Sequence, residues 1–429
     1  MAAAAAALLA IAPLPALAQP APPRLPPPEA TDPVALGIMA GSPPAANRRV
    51  NLANLLAYPN PRWGFHHMRE LAPSRAVSSA GKPVRPLATA QATLDGVTLD
   101  DGAGNRVSLA DWQKNTYTDG LIVLHNGRVV LETYHAGMQP SDAHALWSLS
   151  KSFVGLLTAM LVHEGRIDRQ APVSRYLPEL AGTAWGEATI QQTLDMTTGA
   201  AYSEIFTDPA SEVFRYLFAT GLVPPPANYP GPRILYDYLP TVAARGEHGA
   251  GFAYKSVDTE VLGWVIRRVT GKDVATLLSE RVWRQLGAEG DAYYLLDPAG
   301  TTISSIGFNA TLRDLARFGE MIRNGGKVGG TQVVPAAVIA EIRRGGDPAK
   351  FRAAGQTARD GYSYRNQWWI AHDPDGTFEA KGLHGQHIHI NPAAGLVVVK
   401  LSSHPIGNTI FTHVQDRAAF RALASTLRR

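Results

Sequence analysis

The stretch Trp147-Ser-Leu-Ser-Lys151, with the apolar run from Phe153 to Val162 behind it, decides the fold of this chain. Serine favours the start of a helix, and residues three apart lie on one face of a helix. Ser148 and Lys151 are therefore predicted to face each other one turn apart, with Ser148 at the positive end of the helix dipole. Because the run is apolar on nearly every face, its helix is predicted to lie at the centre of the domain.

This serine and lysine indicate nucleophilic catalysis. A serine hydroxyl becomes a good nucleophile only when a base removes its proton. Lys151 can be that base if its pKa falls from about 10.4 toward neutrality. Such a shift of about three units costs about 4 kcal/mol, and burial or a second cation nearby would cause it. Two alternatives stay open. Ser148 can be a helix cap beside a solvated lysine, or Ser150 can be the nucleophile, although sequence neighbours do not face each other on a helix.

The composition is that of a globular protein with a large core. The chain has 429 residues, 45% of them hydrophobic and 18% charged, enough for one large domain or two ordinary ones. The 40 basic and 36 acidic residues leave a net charge of +4, and no cluster of Lys or Arg appears, so nucleic-acid binding is not indicated. Cysteine is absent, which excludes disulfides.

The amino-terminal part is predicted to consist of two segments. Residues 1–18 are almost wholly Ala, Leu, Ile and Pro and end in an A-x-A-like site, although no Lys or Arg precedes them. They predict a signal peptide and a periplasmic or secreted protein. The run is too short and too rich in proline to span a membrane. Residues 19–85 are predicted to be a proline-rich linker and an extension that packs on the main domain, residues 86–429.

Strand patterns stand at both ends of the main domain. Two β-rich runs within residues 121–134 are joined by Asn126-Gly127, a strong hairpin signal. More β-rich runs come near the carboxyl end, and helical patterns lie mainly between the two groups. This order predicts an α+β fold: a central antiparallel sheet flanked by helices, with an inserted, mostly helical subdomain. The later β-rich runs are residues 384–391 and 396–402, and the helical patterns are residues 189–196, 259–270, 311–324 and 412–427.

Two later stretches carry groups that suit the same chemistry. Tyr254 stands at the start of an apolar helix, where its phenol can join a proton relay if a cation such as Lys151 lowers its pKa. Gly382 stands where a strand begins and lets a substrate approach the backbone closely. A backbone N–H nearby can complete an oxyanion hole with that of Ser148.

Two histidine pairs raise the question of a metal. His66 and His67 have no acidic or cysteine partner at ligand spacing, so packing is the favoured interpretation. His387 and His389 alternate onto one face of a strand, but the sequence offers no third ligand. These histidines are interpreted as structural residues, and no metal site is predicted.

Ser148-x-x-Lys151, Tyr254-x-Ser256 and the glycine-rich strand near Gly382, in that order, resemble the serine β-lactamase and penicillin-binding-protein superfamily. The chain is most similar to the class C-like branch of esterases and amidases, especially the 6-aminohexanoate-dimer (nylon-oligomer) hydrolases. Matching phrases include Trp147-Ser-Leu-Ser-Lys-Ser-Phe-Val-Gly155, Leu194-Asp-Met-Thr-Thr-Gly199, Thr259-Glu-Val-Leu-Gly-Trp264, Gln367-Trp-Trp369, His384-Gly-Gln386 and Val399-Lys-Leu-Ser-Ser403.

The resemblance implies a role for each of these residues. Ser148 would be the acylated nucleophile, and Lys151 and Tyr254 would form the proton relay. Ser256 would support the relay by hydrogen bonding, and backbone N–H groups of Ser148 and Leu383 would form the oxyanion hole. The implied partner is a small-molecule ester or amide, with no metal or organic cofactor. The implied substrate-binding positions are Phe206, Gly382, His384 and Gly385.

Departures from the family pattern bear on the substrate. The third motif is usually Lys-Thr-Gly, whose lysine often holds a substrate carboxylate in penicillin-recognising members; here it is Ala380-Lys-Gly382, which argues against β-lactam hydrolysis. Ser256 stands where asparagine is commoner. The nylon-oligomer hydrolases have a tyrosine, whose phenol can assist the leaving nitrogen, where this chain has Phe206. Ester cleavage is therefore expected ahead of nylon-type amide cleavage.

The leading hypothesis is a serine hydrolase that cleaves an ester or amide through an acyl-enzyme on Ser148. Among hydrolases, a β-lactamase or a D,D-peptidase is the alternative, and only substrates separate these classes. From another class, a catalytically weak binding protein can share the fold, because a fold does not guarantee a chemistry. The sequence leaves the natural substrate and the oligomeric state open.

Overall fold

The computed structural model describes residues 25–354, 359–408 and 410–428. The predicted signal peptide, residues 1–18, and the first linker residues, 19–24, lie outside the described part, and export stays a prediction. Within that part, no helix is long and apolar enough to cross a membrane. The strands are Ser74–Val77 (β1), Thr98–Asp100 (β2), Arg106–Ser108 (β3), Thr118–His125 (β4), Arg128–Tyr134 (β5), Ala143–Ala145 (β6), Ala292–Leu295 (β7), Phe308–Thr311 (β8), Lys327–Val328 (β9), Thr331–Gln332 (β10), Ser363–Arg365 (β11), Trp368–Ile370 (β12), Phe378–Gly382 (β13), Gln386–Asn391 (β14) and Leu396–Ser402 (β15).

Side-chain caps fix the starts of two of the predicted helices. Thr189 accepts the N–H of Gln192 and forms a capping box with it, and Thr311 accepts the N–H of Asp314. Both helices begin one residue after these threonines, close to the starts that their periodicity predicts. The helices are Pro61–Gly64 (α1), Met68–Leu71 (α2), Leu109–Asn115 (α3), Ser150–His163 (α4), Ile190–Leu194 (α5), Glu212–Thr220 (α6), Leu235–Tyr238 (α7), Ser256–Thr270 (α8), Val274–Leu278 (α9), Arg284–Leu286 (α10), Leu312–Arg323 (α11), Ala336–Arg344 (α12), Pro348–Ala353 (α13) and Ile410–Leu427 (α14).

Strands from both ends of the main domain form one seven-stranded antiparallel sheet, in the order β11-β12-β13-β14-β15-β4-β5. Asn126 and Gly127, both at positive φ, join β4 to β5 in the predicted hairpin. The late strand β15 pairs with the early strand β4, with Val397 opposite Leu124. The α+β prediction is confirmed: an antiparallel sheet, flanked by helices, combines both ends of the domain.

Both faces of the large sheet are covered. Successive side chains of a strand point to opposite faces, so Ile122 and Leu124 belong to the main hydrophobic core whereas Leu121 and Val123 belong to a second one. The main core contains α4 and α11, and the second contains the apolar face of α14, including Phe420. The sheet therefore separates a side that carries α4 from a side closed by the carboxyl-terminal helix.

The amino-terminal extension contributes to the main core. Phe65 and Met68 are buried there, and β1 forms the edge of a four-stranded sheet, β1-β7-β8-β6. Register pairs Ser74 with Leu295 along that edge. The extension thus packs on the main domain, while the proposed division at residue 86 stays a prediction.

Helix α4 is the buried central helix predicted from residues 153–162. Every residue from Ser150 to Leu161 is buried, and Phe153 packs against Phe308 and Phe318 with ring centroids 4.6 and 4.2 Å apart. Apolar residues on all sides of a helix require partners on all sides. The surroundings of α4 provide them, which holds its first turn in one place.

Replacing Gly155 of α4 with alanine is expected to lower the free energy of unfolding by about 3 kcal/mol. An added Cβ would lie 2.1 Å from the carbonyl oxygen of Asn366, a backbone atom that cannot move freely. Alanine favours a helix over glycine by about 1 kcal/mol, which does not offset this clash. Urea unfolding measures the change, with Gly96→Ala as the control, because an added Cβ at Gly96 meets nothing within 4 Å. Equal losses in the two variants would contradict the prediction.

Candidate active site

Ser148 and Lys151 meet as predicted, one turn apart at the start of α4. Ser148 sits in a short 3-10 turn, Trp147–Leu149, that leads directly into the helix. The Nζ of Lys151 donates to the Oγ of Ser148 at 2.8 Å and to the carbonyl oxygen of Ser305 at 3.3 Å. Both residues are buried: Ser148 is 6% exposed and Lys151 is 1% exposed. The serine hydroxyl therefore has a nitrogen within proton-transfer distance.

Burial lowers the pKa of Lys151 to about 8. Desolvation disfavours the ammonium ion, and the carboxylates of Glu204 and Glu260 offset part of that effect by favouring it. A substantial fraction of Lys151 is then neutral slightly above physiological pH. A neutral amine next to a serine hydroxyl can act as its general base.

Tyr254 lies beside both groups and stays protonated. It shares a side-chain hydrogen bond with Ser148, and the Nζ of Lys151 lies 5.0 Å from its ring centroid. Burial and the charge of Glu204 raise the pKa of Tyr254 above its usual value, which outweighs the lowering by Ser148 and Arg359. A protonated phenol can donate or relay a proton but cannot remove one, so the electrostatics favour Lys151 over Tyr254 as the base.

Ser256 enters the site through its backbone. It is the first residue of α8, and its N–H donates to the Oε1 of Glu204 at 2.7 Å. Glu204 lies on the loop that continues to Phe206, which is 43% exposed. A hydrogen bond from the Ser256 hydroxyl to the relay, and a substrate contact by Phe206, stay predictions.

The end of β13 packs directly against the Ser148 turn. A Cβ at Gly382 would lie 2.2 Å from the carbonyl oxygen of Leu146 and 3.1 Å from the backbone nitrogen of Leu149, so only glycine fits. Leu383 is the next residue, so its segment lies against the Ser148 turn. This arrangement brings together the two segments whose N–H groups are predicted to form the oxyanion hole.

His384 and Gly385 have structural surroundings. The Nδ1 of His384 is 2.7 Å from the carbonyl oxygen of His404, and its ring packs against Phe65 and Trp147. Burial lowers its pKa to about 4, so His384 is neutral at ordinary pH. A Cβ at Gly385 would lie 3.0 Å from the Cβ of Ser402, on β15. These contacts favour a role in holding the Leu383 turn over the predicted substrate contact.

Lys381 points away from Ser148. Side chains alternate along β13, so Ala380 and Gly382 face α4 while Glu379 and Lys381 face the other side of the sheet. There the Nζ of Lys381 forms an ion pair with the Oε2 of Glu379 at 2.6 Å. The lysine of the third motif is therefore not directed at a ligand bound by Ser148.

His387 and His389 lie on that same side of the sheet. The Nδ1 of His389 is 2.8 Å from the Oε1 of Glu379, and the Nε2 of His387 is 3.4 Å from the same oxygen. The other oxygen of Glu379 pairs with Lys381. Among the described residues, no group of three or more His, Asp or Glu side chains could hold a metal ion.

A buried acid that the sequence patterns did not predict lies behind Lys151. Glu260 accepts the N–H groups of Ser304 and Ser305, each at 2.9 Å, and the hydroxyl of Tyr216 at 2.8 Å. These bonds fix the Ser305 carbonyl that accepts from Lys151. An acid inside an otherwise apolar helical stretch is the signal that could have identified Glu260, because an acid buried in a protein requires partners.

The amino-terminal extension also reaches the site. The carbonyl oxygen of Phe65 accepts the N–H of Ala145 at 2.7 Å, three residues before Ser148. The ring of Phe65 lies 5.2 Å from that of Trp147, whose φ is +48°. The extension therefore supports the strained turn that presents the serine.

Comparisons with known proteins agree with this geometry. The Beta-lactamase family profile matches residues 81–422. The chain is 36% identical over 376 residues to a 6-aminohexanoate-dimer hydrolase of Paenarthrobacter ureafaciens, covering 86% of this chain and 92% of the relative. A Bacillus anthracis protein assigned to the same hydrolases superposes with a TM-score of 0.83 at 33% identity, covering 90% of this chain and 98% of that one.

More distant structures share the fold alone. A penicillin-binding protein homologue from Caulobacter crescentus matches with a TM-score of 0.53 at 19% identity, over 76% of this chain and 99% of that chain. The long family match and the two relatives above 30% identity confirm the resemblance seen in the sequence. The chain belongs to the β-lactamase family, within the superfamily of serine β-lactamases and penicillin-binding proteins, and is a hydrolase.

Proposed function

We propose that this protein hydrolyses small esters and linear amides through a covalent acyl-enzyme on Ser148. The observation that carries the proposal is the contact of 2.8 Å between the Nζ of Lys151 and the Oγ of Ser148. It joins a nucleophile to a base whose pKa is lowered to about 8. Tyr254 completes the group as a neutral proton donor.

Acylation begins when the neutral amine of Lys151 takes the proton of Ser148 as its Oγ attacks the substrate carbonyl carbon. The carbonyl oxygen becomes an oxyanion, and the backbone N–H groups of Ser148 and Leu383 are proposed to bind it. The bond to the leaving oxygen or nitrogen then breaks, and that atom takes a proton from the Lys151 ammonium through the phenol of Tyr254. The acid part stays on Ser148 as an ester.

Deacylation repeats these steps with water. The neutral amine of Lys151 takes a proton from the water that attacks the acyl carbon. The bond to Ser148 breaks, the carboxylic acid leaves, and the serine oxygen recovers a proton from Lys151. Each cycle adds one water to one ester or amide bond and returns every catalytic group to its starting state.

The relatives guide the choice of substrate. The two relatives above 30% identity are named for hydrolysis of the 6-aminohexanoate dimer, a linear amide, so linear amides belong among the proposed substrates. Phe206 has no hydroxyl to assist the leaving nitrogen, which favours esters over amides. Lys381 is turned away from Ser148, which argues against the β-lactamase and D,D-peptidase alternatives.

A three-substrate panel tests this proposal. A short-chain p-nitrophenyl ester is expected to be cleaved about 100-fold or more faster than the linear 6-aminohexanoate dimer. The reason is that an alkoxide or phenoxide can leave without being protonated, whereas an amine nitrogen must be protonated in order to leave. A chromogenic cephalosporin is expected to be the poorest of the three. Intact-mass spectrometry during ester turnover should show one acyl group on the protein. Turnover of the dimer at the rate of the ester would contradict the ester preference, and rapid cephalosporin turnover would favour a β-lactamase.

A further inference from the structure

The buried acid of α8 is bound in the manner of an ionised carboxylate. Glu260 is 2% exposed, and both of its side-chain oxygens accept hydrogen bonds. The Oε2 accepts the N–H of Ser304 at 2.9 Å. The Oε1 accepts the N–H of Ser305 at 2.9 Å and the hydroxyl of Tyr216 at 2.8 Å. All three donors are neutral, so they stabilise a negative charge on Glu260 without cancelling it.

Ser305 connects this carboxylate to the proposed base. Its N–H donates to Glu260, and its carbonyl oxygen accepts from the Nζ of Lys151 at 3.3 Å. Its Oγ is 2.7 Å from the hydroxyl of Tyr216, which comes from α6. Gly263, one helical turn after Glu260, packs against the same loop without room for a Cβ. The position of the Lys151 amine therefore depends on the contacts of Glu260.

Two carboxylates act on Lys151, and they differ in their surroundings. The charges of Glu204 and Glu260 both favour the ammonium form of Lys151. Glu204 lies on a partly exposed loop, whereas Glu260 is enclosed by α8, α6 and the Ser305 loop. Water and salt screen the charge of an enclosed group less than that of an exposed one, so the effect of Glu260 on Lys151 is the more persistent.

The other titratable groups that face Glu260 are phenols. Burial raises the pKa of each of them, so they are neutral wherever Lys151 titrates. Burial also raises the pKa of Glu260 itself, and the hydrogen bonds from the Ser304 and Ser305 N–H groups oppose that rise. The phenols are those of Tyr202, Tyr216, Tyr236 and Tyr294.

We propose that Glu260 is a positioning residue for acylation: it holds the Ser305 carbonyl against Lys151 and stabilises the ammonium that forms when Lys151 takes the proton of Ser148. This inference rests on the proposed hydrolase function and adds a third group behind the nucleophile and the base. The proton transfer creates a cation in a buried place, where a fixed anion favours it strongly. The same anion sets the pH at which the enzyme becomes active, because it keeps the proton on Lys151 to a higher pH than burial alone would.

Glu260→Gln tests the proposal through the pH profile of kcat/KM on a short-chain p-nitrophenyl ester. The change keeps the shape of the side chain and removes its charge. The midpoint of the profile, expected at about 8 in wild type, should then fall by about one pH unit or more. The plateau above the midpoint should fall by about tenfold or more, because the amine becomes a weaker base. A purely structural role would lower the rate without moving the midpoint.

Asp258→Asn is the matched control. Asp258 is another fully buried acid of α8, and it accepts from the Nε1 of Trp185 at 2.8 Å and from the hydroxyl of Thr198 at 2.9 Å. Its replacement should destabilise the protein and leave the midpoint of the pH profile where wild type has it. If the midpoint falls equally in Asp258→Asn and Glu260→Gln, loosening of α8 explains the shift and the role of Glu260 is overturned.

Glu260→Asp keeps the test decisive if Glu260→Gln does not fold. Aspartate retains the charge but withdraws it by one methylene group. We expect the midpoint to fall by less than in Glu260→Gln, and the plateau to fall by about tenfold, because the Ser305 carbonyl loses its support. A wild-type midpoint and plateau in Glu260→Asp would reject the positioning role. Failure of both variants to fold would assign Glu260 to folding and also reject it.

The wild-type protein separates this proposal from the hydrolase function on which it rests. Absence of ester hydrolysis and of an acyl adduct in wild type would reject both. Hydrolysis by wild type with an unmoved midpoint in a folded Glu260→Gln variant would reject the role of Glu260 alone, and Ser148 and Lys151 would keep their proposed roles.

Discussion

Replacing Ser148 with alanine is expected to lower kcat/KM by at least about 10⁴-fold on every substrate that the wild type cleaves. Removal of the hydroxyl leaves Lys151 without an atom to activate, so no acyl-enzyme can form. Thermal unfolding should be nearly unchanged, since a small hydroxymethyl side chain becomes a methyl group in a turn that keeps its backbone. Kinetics on the p-nitrophenyl ester and intact-mass spectrometry measure both parts of this prediction.

Ser150→Ala is the matched control for Ser148→Ala. The Oγ of Ser150 donates to the carbonyl oxygen of Trp147 at 2.6 Å and accepts the N–H of Phe308 at 3.0 Å. It therefore ties the turn to β8 and has no free role as a nucleophile. Removal of the Ser150 hydroxyl should lower the free energy of unfolding by about 1–3 kcal/mol, and the acyl adduct on Ser148 should still form.

A fluorophosphonate probe separates the remaining alternatives. Labelling of Ser148 in wild type and no labelling of Ser148→Ala would support the nucleophile assignment. Labelling of Ser150 would transfer the role to that residue. If the probe labels neither serine and Ser148→Ala behaves like wild type in every assay, the catalytically weak binding protein becomes the better hypothesis.

The part of the site that could be predicted is the part set by short-range sequence patterns. The pairing of Ser148 with Lys151 depends on helical spacing, and the burial of α4 depends on its continuous apolar run, so both followed from a short piece of sequence. Tyr254 and Gly382 needed the family resemblance, because no short-range pattern places them beside Ser148. Strand alternation could also have shown that Lys381 lies on the opposite face from Gly382.

Contacts between distant parts of the chain could not be predicted in this way. Glu260 accepts a hydrogen bond from the N–H of Ser304, 44 residues further along the chain, and no periodic pattern in the sequence links the two positions. The same holds for Phe65, whose carbonyl supports the turn before Ser148 from an extension predicted only to pack on the domain. The loop acid Glu204 likewise reaches Ser256 from 52 residues away.

Replacing Lys151 with methionine is expected to remove activity and to stabilise the protein. Loss of the base should lower kcat/KM by about 10³-fold or more. Burial moves the pKa of this lysine from about 10.5 in the unfolded chain to about 8, which corresponds to roughly 3 kcal/mol of destabilisation at neutral pH. Loss of the hydrogen bond to Ser305 offsets part of the gain, so a net increase of about 2 kcal/mol is expected.

The sign of the pH dependence follows from the lowered pKa. Between about pH 8 and 10.5 the unfolded state holds more protons on Lys151 than the folded state does, so wild-type stability gains from this group as pH rises through that window. The advantage of the methionine variant should therefore be greatest below about pH 8 and fade by about pH 10.5. Wild-type kcat/KM should rise with pH through about 8, as the amine becomes neutral.

Lys255→Met provides the control for removing a buried lysine near the site. Lys255 also has a lowered pKa, but its Nζ donates to the carbonyl oxygen of Thr198 at 2.7 Å and serves the loop contact there. The Lys255→Met variant should keep the pH profile of wild type, and its kcat/KM should fall by less than about tenfold. If Lys151→Met keeps more than a tenth of wild-type activity, Lys151 is not the base. If its stability falls at neutral pH, the contacts of Lys151 outweigh its desolvation, and the lowered pKa no longer explains how this site activates Ser148.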